Sequence, residues 1–188
     1  MKLENNYKNI LIEIYEKVVL IKLNRPDSLN ALSKGLIQDL NHALDIIDND
    51  SKYSVIVLTG VGKAFAAGAD IKEMMSKSFQ NVIEEDFIKP WEKISGITKP
   101  TIAAVNGYAL GGGCEIILHS NFVQAHIESY IGLTEAALGI LPAWGGCKEI
   151  LGNFVSNKNI PKGPMPAILK AFELIGTAKV STSAHEAK

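Results

Sequence analysis

The feature that most constrains this chain is its alternation of short β-rich runs with helix-length segments. Val18–Leu23 is such a run and stops at the turn cluster Asn24-Arg25-Pro26-Asp27. Ser54–Thr59 and Thr101–Val105 read as further strands, and Phe122–Ala125 as a fourth. Between the first two, Leu36, Ile37, Leu40, Leu44 and Ile47 keep helical spacing behind Ser33, whose hydroxyl suits an N-cap. Asn49-Asp50-Ser51 closes that helix. Residues 80–98 read as helical with an interruption at Pro90, and another helix is expected from about Cys114. Strands alternating with helices imply an α/β fold with much parallel pairing, because a parallel neighbour needs a crossover long enough to hold a helix. Asn153–Lys162 reads as a polar loop, Met165–Ile175 as a helix, and Ser181-Thr182-Ser183 as the start of another.

A length of 188 residues fits one domain, and 47% hydrophobic with 21% charged residues is ordinary globular usage rather than disorder. Nineteen basic against twenty acidic residues give a net charge of −1, and Arg25 is the only arginine. Nucleic-acid binding driven by bulk charge is therefore not expected. Cys114 and Cys147 form no CxxC pair, and His42, His119, His126 and His185 show no HExxH spacing, so neither a disulfide framework nor a metal site is expected. The first residues lack the apolar run of a signal peptide, and the most apolar stretch, Thr101–Leu118, is broken by Asn106 and Glu115. The expectation is a soluble, cytoplasmic protein without a membrane span.

Two glycine-rich loops are the first candidates for chemistry. Gly60-Val61-Gly62-Lys63 fails as a phosphate loop: GxxxxG spacing is missing and Ala64 follows the lysine. It fails as a dinucleotide motif because Phe65 stands at the third glycine. Gly111-Gly112-Gly113 differs, since it lies between a strand and a helix, where unpaired N–H groups favour an anion and glycine lets a ligand approach. Glu115 falls in the first turn of that helix, where it could equally do no more than complement the helix dipole. Glu135 sits ahead of a second glycine- and proline-punctuated stretch, Gly139–Gly146. Two such carboxylates meeting in one cleft would repel, split their protonation states and supply acid and base together.

Three collinear stretches then resemble the enoyl-CoA hydratase (crotonase) superfamily. They are Leu23-Asn-Arg-Pro-Asp-Ser-Leu-Asn-Ala-Leu32, Phe65-Ala-Ala-Gly-Ala-Asp-Ile-Lys-Glu-Met74 and Lys99-Pro-Thr-Ile-Ala-Ala-Val-Asn-Gly-Tyr-Ala-Leu-Gly-Gly-Gly-Cys-Glu115. The resemblance runs from about residue 18 to Gly146. It implies a single domain over 1–188, a crotonase-like spiral of ββα units, with its core at 10–150 and a loop and incomplete helical part at 151–188. It implies an acyl-CoA thioester substrate, coenzyme A being part of that substrate and no separate cofactor or metal being needed. It implies that the Ala69 and Gly112 amides form an oxyanion hole, and that Glu115 and Glu135 match the two catalytic carboxylates of the hydratases. Lys63 and Lys72 match positions that contact the nucleotide end of coenzyme A, although surface lysines are as often simply solvated. Ala67, Asp70 and Ile71 would shape the adenine and pantetheine path, and each also suits a tight turn with a capping aspartate.

The implied activity is hydration of a 2-trans-enoyl-CoA to a 3-hydroxyacyl-CoA in fatty-acid β-oxidation. An isomerase or another thioester-enolate enzyme is the alternative within the fold, and a non-catalytic remnant or assembly subunit the alternative outside it. The resemblance further implies a homo-oligomer, trimeric or hexameric. Gly163–Ser183 resembles hydratase regions of proteins that also carry a 3-hydroxyacyl-CoA dehydrogenase, which leaves such a partner or fused domain open. The chain departs from the family pattern at Asn121, where aspartate is usual, at Leu133-Thr134 in place of Gln-Pro, and at Ala143-Trp144 after Pro142. Asn121 puts local hydrogen bonding in question. The Ala143 amide remains available to hold a water, and Trp144 would narrow the acyl end.

Overall fold

The computed structural model describes residue 3 and residues 7–75, 77–86 and 88–187. β1 (Ile10–Tyr15) and β2 (Val18–Leu23) make an antiparallel hairpin whose turn carries Glu16 at φ 55°. β2 then pairs in parallel with β3 (Val55–Gly60), β3 with β5 (Thr101–Val105), and β5 with β7 (Phe122–Ala125). This gives a five-stranded sheet of order β1-β2-β3-β5-β7. A second sheet holds only short strands in parallel, β4 (Ala64–Ala66), β6 (Tyr108–Leu110) and β8 (Tyr130–Gly132). The chain leaves the large sheet for the small one three times, from β3 to β4, from β5 to β6 and from β7 to β8. Each excursion ends in helical structure: α2 (Ile71–Met75) and α3 (Phe79–Glu84), then α4 (Gly112–Leu118), then a 3-10 turn at Glu135–Leu138. The result is a spiral of ββα units, as the resemblance implies.

The core follows from the expected periodicities. Val19, Ile21, Leu23, Ile56 and Leu58 alternate along β2 and β3 and are all buried, the strand pattern for one covered face. They share one cluster with Leu36, Leu40, Leu44 and Ile47 of α1 (Lys34–Asn49). Burying each such side chain contributes roughly 1.5–3 kcal/mol. Ser33 caps α1 by accepting a hydrogen bond from the Leu36 amide at 3.2 Å. A 3-10 segment at Lys89–Gly96 adds Trp91 and Ile94 to the same cluster.

Two asparagines secure the corner where β3 passes to β4. Fully buried Asn30 donates to the carbonyls of Val61 (3.0 Å) and Ala64 (2.8 Å) and accepts from the Arg25 amide at 2.8 Å. Asn106 donates to the carbonyls of Gly60 and Gly62, both at 2.8 Å. These side chains supply the partners that a buried, irregular backbone would otherwise lack. Asn121 acts similarly at the start of β5: its Oδ1 accepts from the Thr101 amide (2.8 Å) and hydroxyl (3.1 Å). Local hydrogen bonding thus survives the departure there.

Several boundaries differ from the sequence reading. β1, β4, β6 and β8 lie in stretches without a clear strand signal. α4 begins at Gly112 rather than Cys114, because glycine amides open its first turn. α5 (Gly146–Ser156) carries helix into the stretch read as a polar loop, and it packs on α6 (Pro164–Gly176). Ser181–Ser183 enters a hydrogen-bonded turn rather than a helix, the Ala187 amide donating to the Ser183 carbonyl at 3.2 Å. Among the described residues no helix is long and apolar enough to cross a membrane.

Candidate active site

The turns of the spiral converge on a cleft of about 780 Å³. One wall is the Ala67–Asp70 loop between β4 and α2. This loop is laid against the segment ahead of α1: the Leu32 amide donates to the Gly68 carbonyl (2.8 Å) and the Asp70 amide to the Leu32 carbonyl (3.3 Å). In a parallel bridge of this register the intervening N–H, that of Ala69, points away from Leu32. The Gly112 amide opens α4 and has no partner within the helix. Ala69 and Gly112 both line the cleft. α4 lies close against β4 and Trp91 because its first residues are glycines. A Cβ on Gly113 would lie 2.0 Å from the Ala66 carbonyl oxygen, and one on Gly112 would lie 2.8 Å from Trp91.

Arg25 fixes the same loop from behind. Its guanidinium donates to the Ala31 carbonyl and pairs with Asp70 Oδ2 at 2.9 Å, both side chains being mostly buried. Asp70 Oδ1 also accepts from the Lys72 amide at 3.1 Å. Burial opposes the ionised form of Asp70, but Arg25 and the Lys72 and Glu73 amides outweigh it and hold the carboxyl below its ordinary range.

The same cleft holds the two glutamates. Glu115, 3% exposed, projects from the first turn of α4, and its Oε1 accepts from the amides of Trp144 and Gly146, each at 2.9 Å. Burial nevertheless holds this carboxyl above its ordinary range, the two amides only partly offsetting it. Glu135 begins the 3-10 turn after β8 and faces Gly111, where a Cβ would lie 3.1 Å from its Oε1. Its Oε2 is enclosed without a hydrogen-bond partner. Burial first, and then the Glu115 charge, raise its affinity for a proton, against its own and the Thr134 amides. The two carboxyls therefore sit within electrostatic reach of each other, and each favours the protonated form more than a solvated glutamate does.

Glu115, Glu135, Ala69, Gly112, Ala67 and Ile71 all line this one cleft. Lys63, Lys72 and Asp70 do not. The two lysines are exposed on either side of the Ala67–Asp70 loop, and Asp70 turns toward Arg25. Three contributors went unread in the sequence. Trp91 packs edge-on against Trp144 at 5.3 Å between centroids, and both buried indoles line the cleft. The amides of Trp144 and Gly146 reach Glu115, while Ala143, whose amide is expected to hold a water, lines the cleft. His119 holds the Trp144 carbonyl. None of these contacts has a sequence signature, since each joins segments that meet only in the fold.

The spiral thus brings the Ala69 and Gly112 amides and the Glu115 and Glu135 carboxyls to one cleft. Residues 13–160 match the enoyl-CoA hydratase/isomerase family, and the chain belongs to that family. It is 47% identical over 148 residues to the mitochondrial enoyl-CoA hydratase of Pongo abelii, covering 77% of this chain and 51% of the relative. It is 38% identical to the short-chain-enoyl-CoA hydratase of Clostridium acetobutylicum, covering 91% and 72% of the two chains. The solved enoyl-CoA hydratase of Bacillus anthracis superposes with a TM-score of 0.82 at 36% identity, over 96% of this chain and 67% of that one. The chain thus spans about half the length of the first of these relatives.

Proposed function

We propose that this chain carries an enoyl-CoA hydratase site that adds water across a 2-trans-enoyl-CoA to give the 3-hydroxyacyl-CoA, a step of fatty-acid β-oxidation. The observation that carries the reading is the placement of Glu115 and Glu135 in one cleft with the Ala69 and Gly112 amides. The thioester oxygen accepts from these two amides, which stabilise the negative charge that develops as the enolate forms. Losing one such donor costs roughly 2.7–4 kcal/mol in the transition state. Glu115, whose Oε1 is held by two amides, is the group suited to stay ionised and take a proton from the attacking water at Cβ. Glu135, whose Oε2 has no partner and which feels the Glu115 charge, is suited to carry the proton delivered at Cα. Each positioned proton transfer contributes on the order of 10²–10⁴ in rate. The water proton and the delivered proton balance, so the chemistry closes without a metal or redox group.

Ala67 and Ile71 shape the adenine and pantetheine path along the cleft wall, Asp70 holds that wall through Arg25, and Lys63 and Lys72 attract the phosphates of coenzyme A from outside it. The molecule is proposed to work in the cytoplasm as a homo-oligomer, trimeric or hexameric, alone or beside a 3-hydroxyacyl-CoA dehydrogenase. Met165, Ile168, Leu169 and Phe172 support the self-association, since they leave an apolar stripe exposed along α6. The test is loss of the conjugated thioester absorbance of crotonyl-CoA. Turnover that disappears in Glu115→Gln and Glu135→Ala supports hydration, whereas double-bond isomerisation that survives Glu135→Ala points to an isomerase. No turnover by a folded, monodisperse sample refutes the hydratase reading.

A further inference from the structure

α4 carries a second polar side chain on the same face as Glu115, one turn further on. His119 ends the helix, its side chain only 7% exposed, with Nε2 2.8 Å from the Trp144 carbonyl oxygen. A carbonyl only accepts, so Nε2 carries the proton. Nδ1 faces Oε1 of Glu149 from α5 at 3.9 Å, and Glu149 is itself paired with Lys148 at 2.9 Å. Trp144 is one of the two residues whose amides donate to Glu115. Its backbone is therefore gripped at both polar groups by two side chains of one helix, the N–H by Glu115 and the C=O by His119. Gly145 follows at φ 101°, and a Cβ there would lie 3.0 Å from His119 Nε2, so the imidazole also fits against the chain between the two amide donors. The Trp144 indole lies against the same ring at 5.9 Å between centroids. Residues 139–145 belong to no helix or strand, so no ladder of backbone bonds aims the Trp144 amide, and Gly146 opens α5, where its own amide has no partner within the helix.

We infer that His119 is a positioning residue which, by holding the Trp144 carbonyl, keeps the Trp144 and Gly146 amides directed at Glu115. The inference deepens the proposed function and rests on it for its kinetic consequence only. Two aimed amides stabilise the ionised carboxylate in a site where burial opposes ionisation. Releasing the carbonyl lets the segment drift, weakens both bonds and raises the proton affinity of the group that must accept a proton. The titratable groups facing Glu115 are Glu135 from the 3-10 turn, His119 and Cys114 from α4, and Cys147 from α5. All of them are unchanged in the comparison below except His119 itself.

The test compares His119→Leu, which keeps bulk but loses the donor, with His119→Gln, whose amide NH₂ can reach the place of Nε2–H. His119→Leu is expected to lower kcat for crotonyl-CoA by roughly 10–100-fold, as a misplacement near 1 Å does. KM should change much less, and the acidic limb of the kcat/KM profile should move to higher pH. His119→Gln should recover most of both. Carbon-13 NMR titration of the Glu115 carboxyl, assigned with Glu115→Gln, supplies a readout independent of turnover: its midpoint should rise in His119→Leu and return in His119→Gln. A wild-type protein that titrates in this way but does not hydrate crotonyl-CoA refutes the proposed function and leaves the positioning role standing. A folded His119→Leu protein with an unmoved Glu115 midpoint overturns the inference, as does a Gln variant no better than Leu.

Discussion

Replacing Gly113 by alanine tests whether the approach of α4 to β4 sets both stability and chemistry. The added Cβ would lie 2.0 Å from the Ala66 carbonyl oxygen, 2.8 Å from its carbon and 2.9 Å from the Ala66 Cβ. Ordinary contact begins near 3.4 Å, so helix and strand must separate by about 1.4 Å, and backbone on both sides leaves no rotamer to yield. Overpacking of this kind costs typically about 1–3 kcal/mol, and backbone contact places it at the upper end. Alanine returns about 1 kcal/mol through its greater helix propensity. The net loss is then about 2 kcal/mol, which at a urea slope near 2 kcal/mol/M lowers the midpoint by about 1 M. Glu115 rides on α4 two residues later, and a shift beyond 1 Å should lower kcat/KM roughly 100-fold. Gly152→Ala isolates the propensity gain, since nothing lies within 4 Å of a Cβ at that exposed position in α5. It should raise stability by up to about 1 kcal/mol and leave turnover alone. Urea unfolding followed by fluorescence of Trp91 and Trp144, with crotonyl-CoA turnover, reads both effects. A Gly113→Ala protein within 0.5 kcal/mol of wild type and fully active would refute the reasoning.

Arg25→Met should destabilise by on the order of 2–4 kcal/mol by leaving the mostly buried Asp70 carboxylate unpaired, whereas Arg25→Met/Asp70→Asn should recover part of that in the same unfolding assay. Glu115 and Glu135 are held above the usual carboxylate range, so the folded chain binds protons more tightly than the unfolded one. The associated stability is complete below the unfolded value of about 4.3 and is lost as pH rises through the higher folded values. As pH rises above about 4.3 the wild type should therefore lose stability that a Glu115→Gln/Glu135→Gln protein keeps, and parallel curves would contradict this. Leu40→Ala, which empties the middle of the α1 face, should cost about 2–5 kcal/mol in urea, and a loss under 1 kcal/mol would show that α1 is not the anchor of the core.

Elements with a complete local signal could be read directly. α1 joins a capping serine to five apolar positions on one face, and β2 and β3 combine β-branched residues with flanking turns. The strands of the small sheet carry no such signal. Each is three residues long, built from segments such as Ala64–Ala66 and Tyr108–Leu110 that read as loop, and each is stabilised only by a partner far along the chain. β1 was obscure because Leu11 and Ile14 are exposed at the sheet edge, which spoils the alternation expected of a half-buried strand. Gly146 and Gly152 weaken the helix signal of α5, which instead gains from packing on α6. At the site, the positions of Glu115 and Glu135 came from motif resemblance. The tie from His119 to Trp144 could not be read, because the two ends of one hydrogen bond lie twenty-five positions apart in the chain.

The alternation of the spiral between two sheets has a kinetic consequence. Ala69, Gly112 and Glu135 come from three successive excursions into the small sheet, and each excursion lies upon the one before. The cleft therefore does not exist until the third excursion has docked, although most helix and large-sheet structure can already be present. Parallel pairing over long chain separations is slow to form, because loop closure is costly before any contact repays it. Recovery of turnover during refolding should lag behind recovery of secondary structure. On heating, activity should likewise fail first, since loosening the last excursion is enough to part the amides from the carboxyls.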